Sequence, residues 1–268
     1  MRLNGIENPI GYDTNSLSFS WIVEGTKARY QKSARLIIST YSECNINKKD
    51  QLIHDSGEST EINSIDYDPK LVTKAILKPR TRYYWKVFVT TDLDELIESP
   101  VSFFETSKLT ESWTAKWIST KKVGNTTPLY IRKTFAIPDS KKLKDARIYS
   151  TGLWLYEIYI NGQKPNENEY FLPSNNNYLL WLQYQTFDVT FLVRPNNNTI
   201  GVLLGYGWAR GRFGFQLSAA NFSLKKRGKG TDQASKCYEF LFELHLIYDD
   251  GTIEVINTDK TCKCHKSH

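Results

Sequence analysis

The chain has 268 residues, 40% hydrophobic and 24% charged, enough for one large domain or two ordinary ones and too balanced for a disordered polymer. Its 35 basic and 29 acidic residues leave a net charge of +6. The densest basic run, Lys225-Lys226-Arg227-Gly228-Lys229, lies between strand-like stretches without any recognition-helix, zinc-finger or RNA-recognition pattern, so it reads as a solvated hairpin loop and nucleic acid is not an expected partner.

Residues 1–10 carry no apolar core of a secretory signal, and the longest local apolar cluster, around 178–182, is far too short to span a bilayer. As written the chain is expected to be soluble and cytoplasmic, without a membrane partner; it would be secreted or periplasmic if a leader had been removed. The first strand signal is residues 16–23, where Leu17, Phe19, Trp21 and Val23 alternate with three serines. Similar signals recur at 35–40, 52–56 and 101–105. Tyr83, Trp85, Val87 and Val89 form a further apolar face. The pattern Leu77-x-Pro79-x-Thr81-x-Tyr83-x-Trp85-x-Val87 predicts a corner at which the tyrosine hydroxyl returns to the backbone, as in fibronectin type III-like sandwiches. Residues 1–107 are therefore expected to form one β-sandwich.

Residues 108–118 read as a polar connector in which Trp113 and Trp117 anchor the chain. Strands resume near Ile118. Residues 147–160 read as strand ending in the tight-turn pair Asn161-Gly162. Tyr238, Phe240, Phe242, Leu244 and Leu246 alternate with Glu239, Leu241, Glu243 and His245, and Tyr248-Asp-Asp-Gly251 turns the chain into a strand over 252–256. No stretch longer than a turn or two has the helical period. The expected fold class is all-β: two consecutive β-sandwiches, fibronectin type III/Ig-like over 1–107, then jelly-roll or galactose-binding-like over 119–268. An aromatic content of 13%, with seven Trp and sixteen Tyr, suits all-β packing and carbohydrate handling alike.

Three blocks carry a family resemblance: Gly152-Leu-Trp-Leu-Tyr-Glu-Ile-Tyr-Ile-Asn-Gly162, Tyr184-Gln-Thr-Phe-Asp-Val-Thr190 and Gly201-Val-Leu-Leu-Gly-Tyr-Gly-Trp-Ala-Arg-Gly-Arg212. With Asn8-Pro-Ile-Gly11, His54-Asp-Ser-Gly57, Tyr84-Trp-Lys-Val87 and Leu129-Tyr-Ile-Arg-Lys-Thr-Phe135, they make nearly the whole chain resemble the N-terminal region of bacterial α-L-rhamnosidases, glycoside hydrolase family 78. The chain departs from the family where Asn177, within Pro173-Ser-Asn-Asn-Asn-Tyr178, and Trp181 replace a customary Asp and Arg, where His54 stands for the more usual Trp, and where Cys262 stands for another Trp.

The resemblance implies that the hydrolytic carboxylates lie on a downstream α-helical barrel. The chain alone is then expected to be catalytically inactive, a non-catalytic part of a rhamnosidase with its second sandwich truncated. A stand-alone carbohydrate-binding or adhesion module is the alternative. The resemblance also implies a rhamnose-containing carbohydrate partner and no cofactor, with calcium by family analogy only.

Read as residues, the candidate chemistry is sparse. A glycosidase pair needs two carboxyls roughly 6.5–9.5 Å apart for inversion; Asp249/Asp250 and Glu167/Glu169 are better explained as turn and loop residues. No catalytic residue is assigned. The glycines of Gly205-Tyr-Gly-Trp-Ala-Arg-Gly211 permit a sharp loop presenting Trp208, Arg210 and Arg212, which fits either end-of-sandwich packing or sugar contact. The tail Cys262-x-Cys264-His265-x-x-His268 offers metal-ligand atoms in a single cluster, whereas structural zinc sites pair two, so no metal site is assigned.

Overall fold

Alternating apolar and polar residues set the strands of both units of this computed structural model, which describes residues 1–13, 16–69, 77–119, 128–153, 155–174, 176, 181–205 and 239–266. The units are Met1–Ser112 and Trp113–His268. Among the described residues no helix is long and apolar enough to cross a membrane.

The first unit contains β1 (Arg2–Leu3), β2 (Ile10–Tyr12), β3 (Phe19–Ser20), β4 (Gln31–Ser39), β5 (Leu52–Asp55), β6 (Arg82–Thr91), β7 (Leu96–Glu98) and β8 (Ser102–Thr106). One sheet runs β2-β8-β6-β4-β5, with β7 also on β6; β1 and β3 pair separately. Residues 62–67 extend that second layer, since Phe19 exchanges backbone bonds with Tyr67 and Trp21 N donates to Ser64 O at 2.9 Å. Tyr83, Trp85, Val87 and Val89 of β6 all point into the core, where Phe19 sits edge-on to Trp85 at 4.7 Å between ring centres. The Tyr83 hydroxyl accepts the Lys78 N–H at 2.8 Å, which is the expected corner.

The strand expected over 16–23 shrinks to Phe19–Ser20. Its backbone bonds are shared among Asn4, Ser64 and Tyr67, so no continuous ladder forms. The side-chain alternation holds nonetheless: Leu17, Phe19 and Trp21 are buried while Ile22 is 83% exposed.

The second unit contains β9 (Ile118–Ser119), β10 (Leu129–Ile137), β11 (Leu143–Gly152), β12 (Leu155–Ile160), β13 (Gln185–Asp188), β14 (Asn196–Gly205), β15 (Glu239–Tyr248), β16 (Ile253–Asn257) and β17 (Lys263–Lys266). The sheets β12-β14-β10-β17 and β13-β11-β15-β16, the latter with β9 on β15, enclose one apolar core. Ile131, Ile158, Val202 and Leu204 from the first sheet meet Ile148, Phe240, Phe242 and Leu244 from the second. The chain is thus all-β and built of β-sandwiches.

Residues 147–160, read as one strand, are two. β11 lies in one sheet and β12 in the other, so the chain crosses between layers after Gly152. The turn after β12 is as expected: Asn161 and Gly162 have φ of 52° and 85°, and Ile160 and Gln163 exchange backbone bonds.

β15 departs from its sequence pattern. Glu243 and His245, which alternate with the apolar residues, are both buried, Glu243 at 0% exposure. The connector covers them. Glu243 Oε1 accepts the backbone N–H of Thr114 and Ala115 and the Thr114 hydroxyl, and its other oxygen lies 3.1 Å from His245 Nε2. Next to this, Lys116 N donates to Thr258 O at 3.1 Å and the Thr258 hydroxyl donates to Lys116 O at 2.8 Å. Trp113 lies edge-on to Tyr184, as an anchor should; Trp117, also expected to anchor, is 44% exposed.

Candidate functional site

Trp208, Arg210 and Arg212 lie outside the described residues, as does the basic run 225–229. The described residues on either side locate where their segment begins and ends. Gly205 closes β14 opposite Leu155. Glu239 opens β15, and its carbonyl accepts the Leu153 N–H at 3.1 Å. The two ends therefore flank the β11–β12 crossover.

At that same end the described residues between β12 and β13 are built on Tyr156, whose N–H donates to Leu172 O at 2.8 Å. The buried Tyr156 hydroxyl lies 2.6 Å from Gln185 Oε1 and 2.9 Å from Ser150 O, and burial pushes its pKa up strongly. Gln185 Nε2 in turn donates to Pro173 O at 3.2 Å. Asn176 donates to Ser174 O at 2.9 Å and accepts the Gln183 N–H at 2.9 Å, tying the two arms of the loop together. The Leu172–Pro173 peptide bond is cis.

This scaffold leaves three aromatic rings in water: Tyr170, Phe171 and Trp181 are 62%, 66% and 53% exposed. Beside Tyr170, Lys164 Nζ donates to Glu157 Oε1 at 2.8 Å and sits 5.3 Å from the ring centre. The Tyr159 hydroxyl donates to the other Glu157 oxygen at 2.6 Å. The Lys164 hydrogen bond, with that of Tyr159, holds the Glu157 carboxyl below its ordinary value. Exposed rings next to fixed donors and acceptors can stack on the C–H face of a sugar and bond its hydroxyls. In the sequence Trp181 stands out only as a departure from the family, and Tyr170 and Phe171 not at all. Their signal was the aromatic pair directly before Leu172-Pro173.

Three of the four candidate carboxylates, Asp249, Asp250 and Glu169, are engaged locally. Asp250 accepts the Thr252 N–H at 2.9 Å and hydroxyl at 2.6 Å, which holds its carboxyl low, and Asp249 pairs with Lys142 at 3.0 Å. Glu169 accepts from Asn166 Nδ2 at 3.1 Å, and Glu167 is exposed in the same loop. On β17, Cys264 pairs opposite Ile131 and His265 opposite Tyr130, so strand alternation turns them to opposite faces. His268 is outside the described residues. Among the described residues no three His, Cys, Asp or Glu side chains converge as a metal's ligands would.

Fold and site together define an all-β protein of two β-sandwich units, the second with an aromatic end. Residues 1–110 match the Rha78A-like N-terminal immunoglobulin domain, and residues 141–268 match the α-L-rhamnosidase N-terminal domain. An α-L-rhamnosidase of Alteromonas sp. (strain LOR) is 26% identical over 98% of this chain and 28% of its own length. One from Formosa agariphila is 28% identical over 97% of this chain and 27% of its own length. The structure of α-L-rhamnosidase from Dictyoglumus thermophilum superposes with a TM-score of 0.73 at 27% identity, over 98% of this chain and 29% of that one. The chain thus corresponds to the N-terminal region of α-L-rhamnosidases. It spans less than a third of the length of these relatives.

Proposed function

We propose that the chain serves as the accessory, non-catalytic N-terminal part of an α-L-rhamnosidase, with a sandwich at 1–107, a connector at 108–118 and a second sandwich from 119 onward. In this reading the second sandwich touches rhamnose-containing carbohydrate through Trp208, Arg210 and Arg212. The observation that carries it is the position of Gly205 and Glu239: the segment between them starts and ends at the crossover, at the end of the unit where Tyr170, Phe171 and Trp181 are exposed. A pyranose offers an apolar face to an indole and hydroxyls to guanidinium donors. Asp250 caps its turn and Asp249 pairs with Lys142, while Glu169 bonds Asn166 in an exposed loop, which supports a binding role over a hydrolytic one.

Calorimetric titration of L-rhamnose into the wild type and Trp208→Ala tests the contact. Saturable heat lost in the variant supports it; identical responses remove Trp208 from the site.

A further inference from the structure

At the opposite end of the second unit a groove of about 420 Å3 opens between the β10–β11 and β13–β14 connections. That volume falls within the roughly 300–1,000 Å3 of small-ligand pockets. β14 spans the unit from this groove at Asn196 to the aromatic end at Gly205, so the two places lie roughly 30 Å apart at strand rise. Ile137, Pro138, Val193 and Pro195 supply an apolar floor. Lys141, Lys142 and Arg194 supply three cations against one lining carboxylate, Asp139.

Both walls are fixed before any ligand arrives. The buried Asn198 amide accepts the Arg194 N–H at 2.8 Å and donates to the Arg194 carbonyl at 2.8 Å, and Asn161 bonds Asn198 from behind at 2.7 Å. Across the groove, Lys141 N donates to Pro138 O at 2.9 Å, and its Nζ donates to Thr252 Oγ1 at 2.9 Å over the Tyr248 ring. Lys142 is drawn to Asp249. Among the described residues the Arg194 guanidinium has no hydrogen-bond or ionic partner. Its backbone is clamped while its charged fork is left to water, so only the side chain remains to be ordered when an anion binds.

We infer that this groove takes an acidic sugar residue, one bearing a carboxylate or a sulfate ester, with the anion on the Arg194 fork and the C–H face on the proline-lined floor. Asp139 is then the acceptor for sugar hydroxyls, and it repels a bare anion that has none to offer. The saccharide half of this inference rests on the carbohydrate reading above; the site itself is separate from Trp208.

The test is NMR titration of the 15N-labelled full chain with D-glucuronate, glucose 6-sulfate, glucose and inorganic sulfate. One or both acidic sugars should saturate, with shifts confined to residues 137–143 and 193–195. Arg194→Gln should weaken that binding about tenfold or more, the loss of a charge-assisted pair. Trp208→Ala should leave it unchanged, which separates failure here from failure of the rhamnose contact. Equal binding of glucose, equal or tighter binding of inorganic sulfate, insensitivity to Arg194→Gln in a folded variant, or no binding at all would each overturn the inference. Which acidic sugar binds distinguishes carboxylate from sulfate.

Discussion

Ala115 donates its backbone N–H to the buried Oε1 of Glu243 at 3.0 Å, across a sequence separation of 128 residues. A fully buried carboxylate is costly to desolvate, and here it is offset by donors from the connector and by His245 on its other oxygen. The connector is therefore bonded into the second unit from Thr114 onward.

Replacing Glu243 by Leu should destabilise the second unit by about 3 kcal/mol, because two backbone N–H groups lose their acceptor in a dry site. Denaturant unfolding followed through tryptophan fluorescence measures it. Proteolysis should at the same time become fast at residues 113–117. Unchanged stability with continued protection there would show that the contact is incidental.

Tyr83→Phe removes only the hydroxyl that accepts the Lys78 N–H. The expected loss is about 1 kcal/mol, typical of one neutral hydrogen bond, with the ring packing on Phe104 retained. Urea unfolding of the first transition reads it directly. A loss several times larger would mean that the ring itself had moved.

His54 is half-buried in β5, its Nε2 has no hydrogen-bond partner among the described residues, and burial lowers its pKa below the ordinary value. The unfolded chain then binds a proton more readily than the folded one. Stability from this residue is fully present above about pH 6.5, falls as the pH drops toward the lower folded value, and levels off below that. Unfolding midpoints at pH 7.5 and pH 5 should differ less in His54→Phe than in the wild type. An equal difference in both would exclude His54 as the source.

The chain should not hydrolyse an aryl α-L-rhamnoside. Glu167→Ala and Asp250→Ala are the controls: turnover that co-purifies with the protein and disappears in either variant would refute the accessory reading. Rhamnose affinity, where present, should be no tighter than about millimolar to high micromolar, since a shallow contact must offset the entropy of immobilising the sugar.

Much of the fold is legible in the sequence because period-two patterns report which side chains face a core. Leu17, Phe19 and Trp21 show this even where the strand itself is only two residues long. The corner at Tyr83 is legible for a different reason: donor and acceptor are five residues apart. The crossover after Gly152 is not, since apolar residues continue through it and the change of sheet depends on which strands lie alongside. Glu243 and His245 mislead in the same way. Their partner, the connector, is remote in sequence, and a local pattern reads any polar alternate residue as facing water. Of the aromatic end, Trp181 was noticed, but the exposure of Tyr170 and Phe171 follows from a loop shape that Tyr156, Asn176 and Gln185 impose together.

The passage of the chain from β11 into β12 also has a mechanical meaning. The layers of the second unit are stitched by a covalent thread two residues long as well as pressed together by their apolar faces. Pulling β12 away from its neighbours drags on Gly152, which pairs with Phe240 at the end of the β11–β15 ladder in the opposite sheet. Neither layer can peel off and leave the other standing, so the unit should yield to force or denaturant in one step.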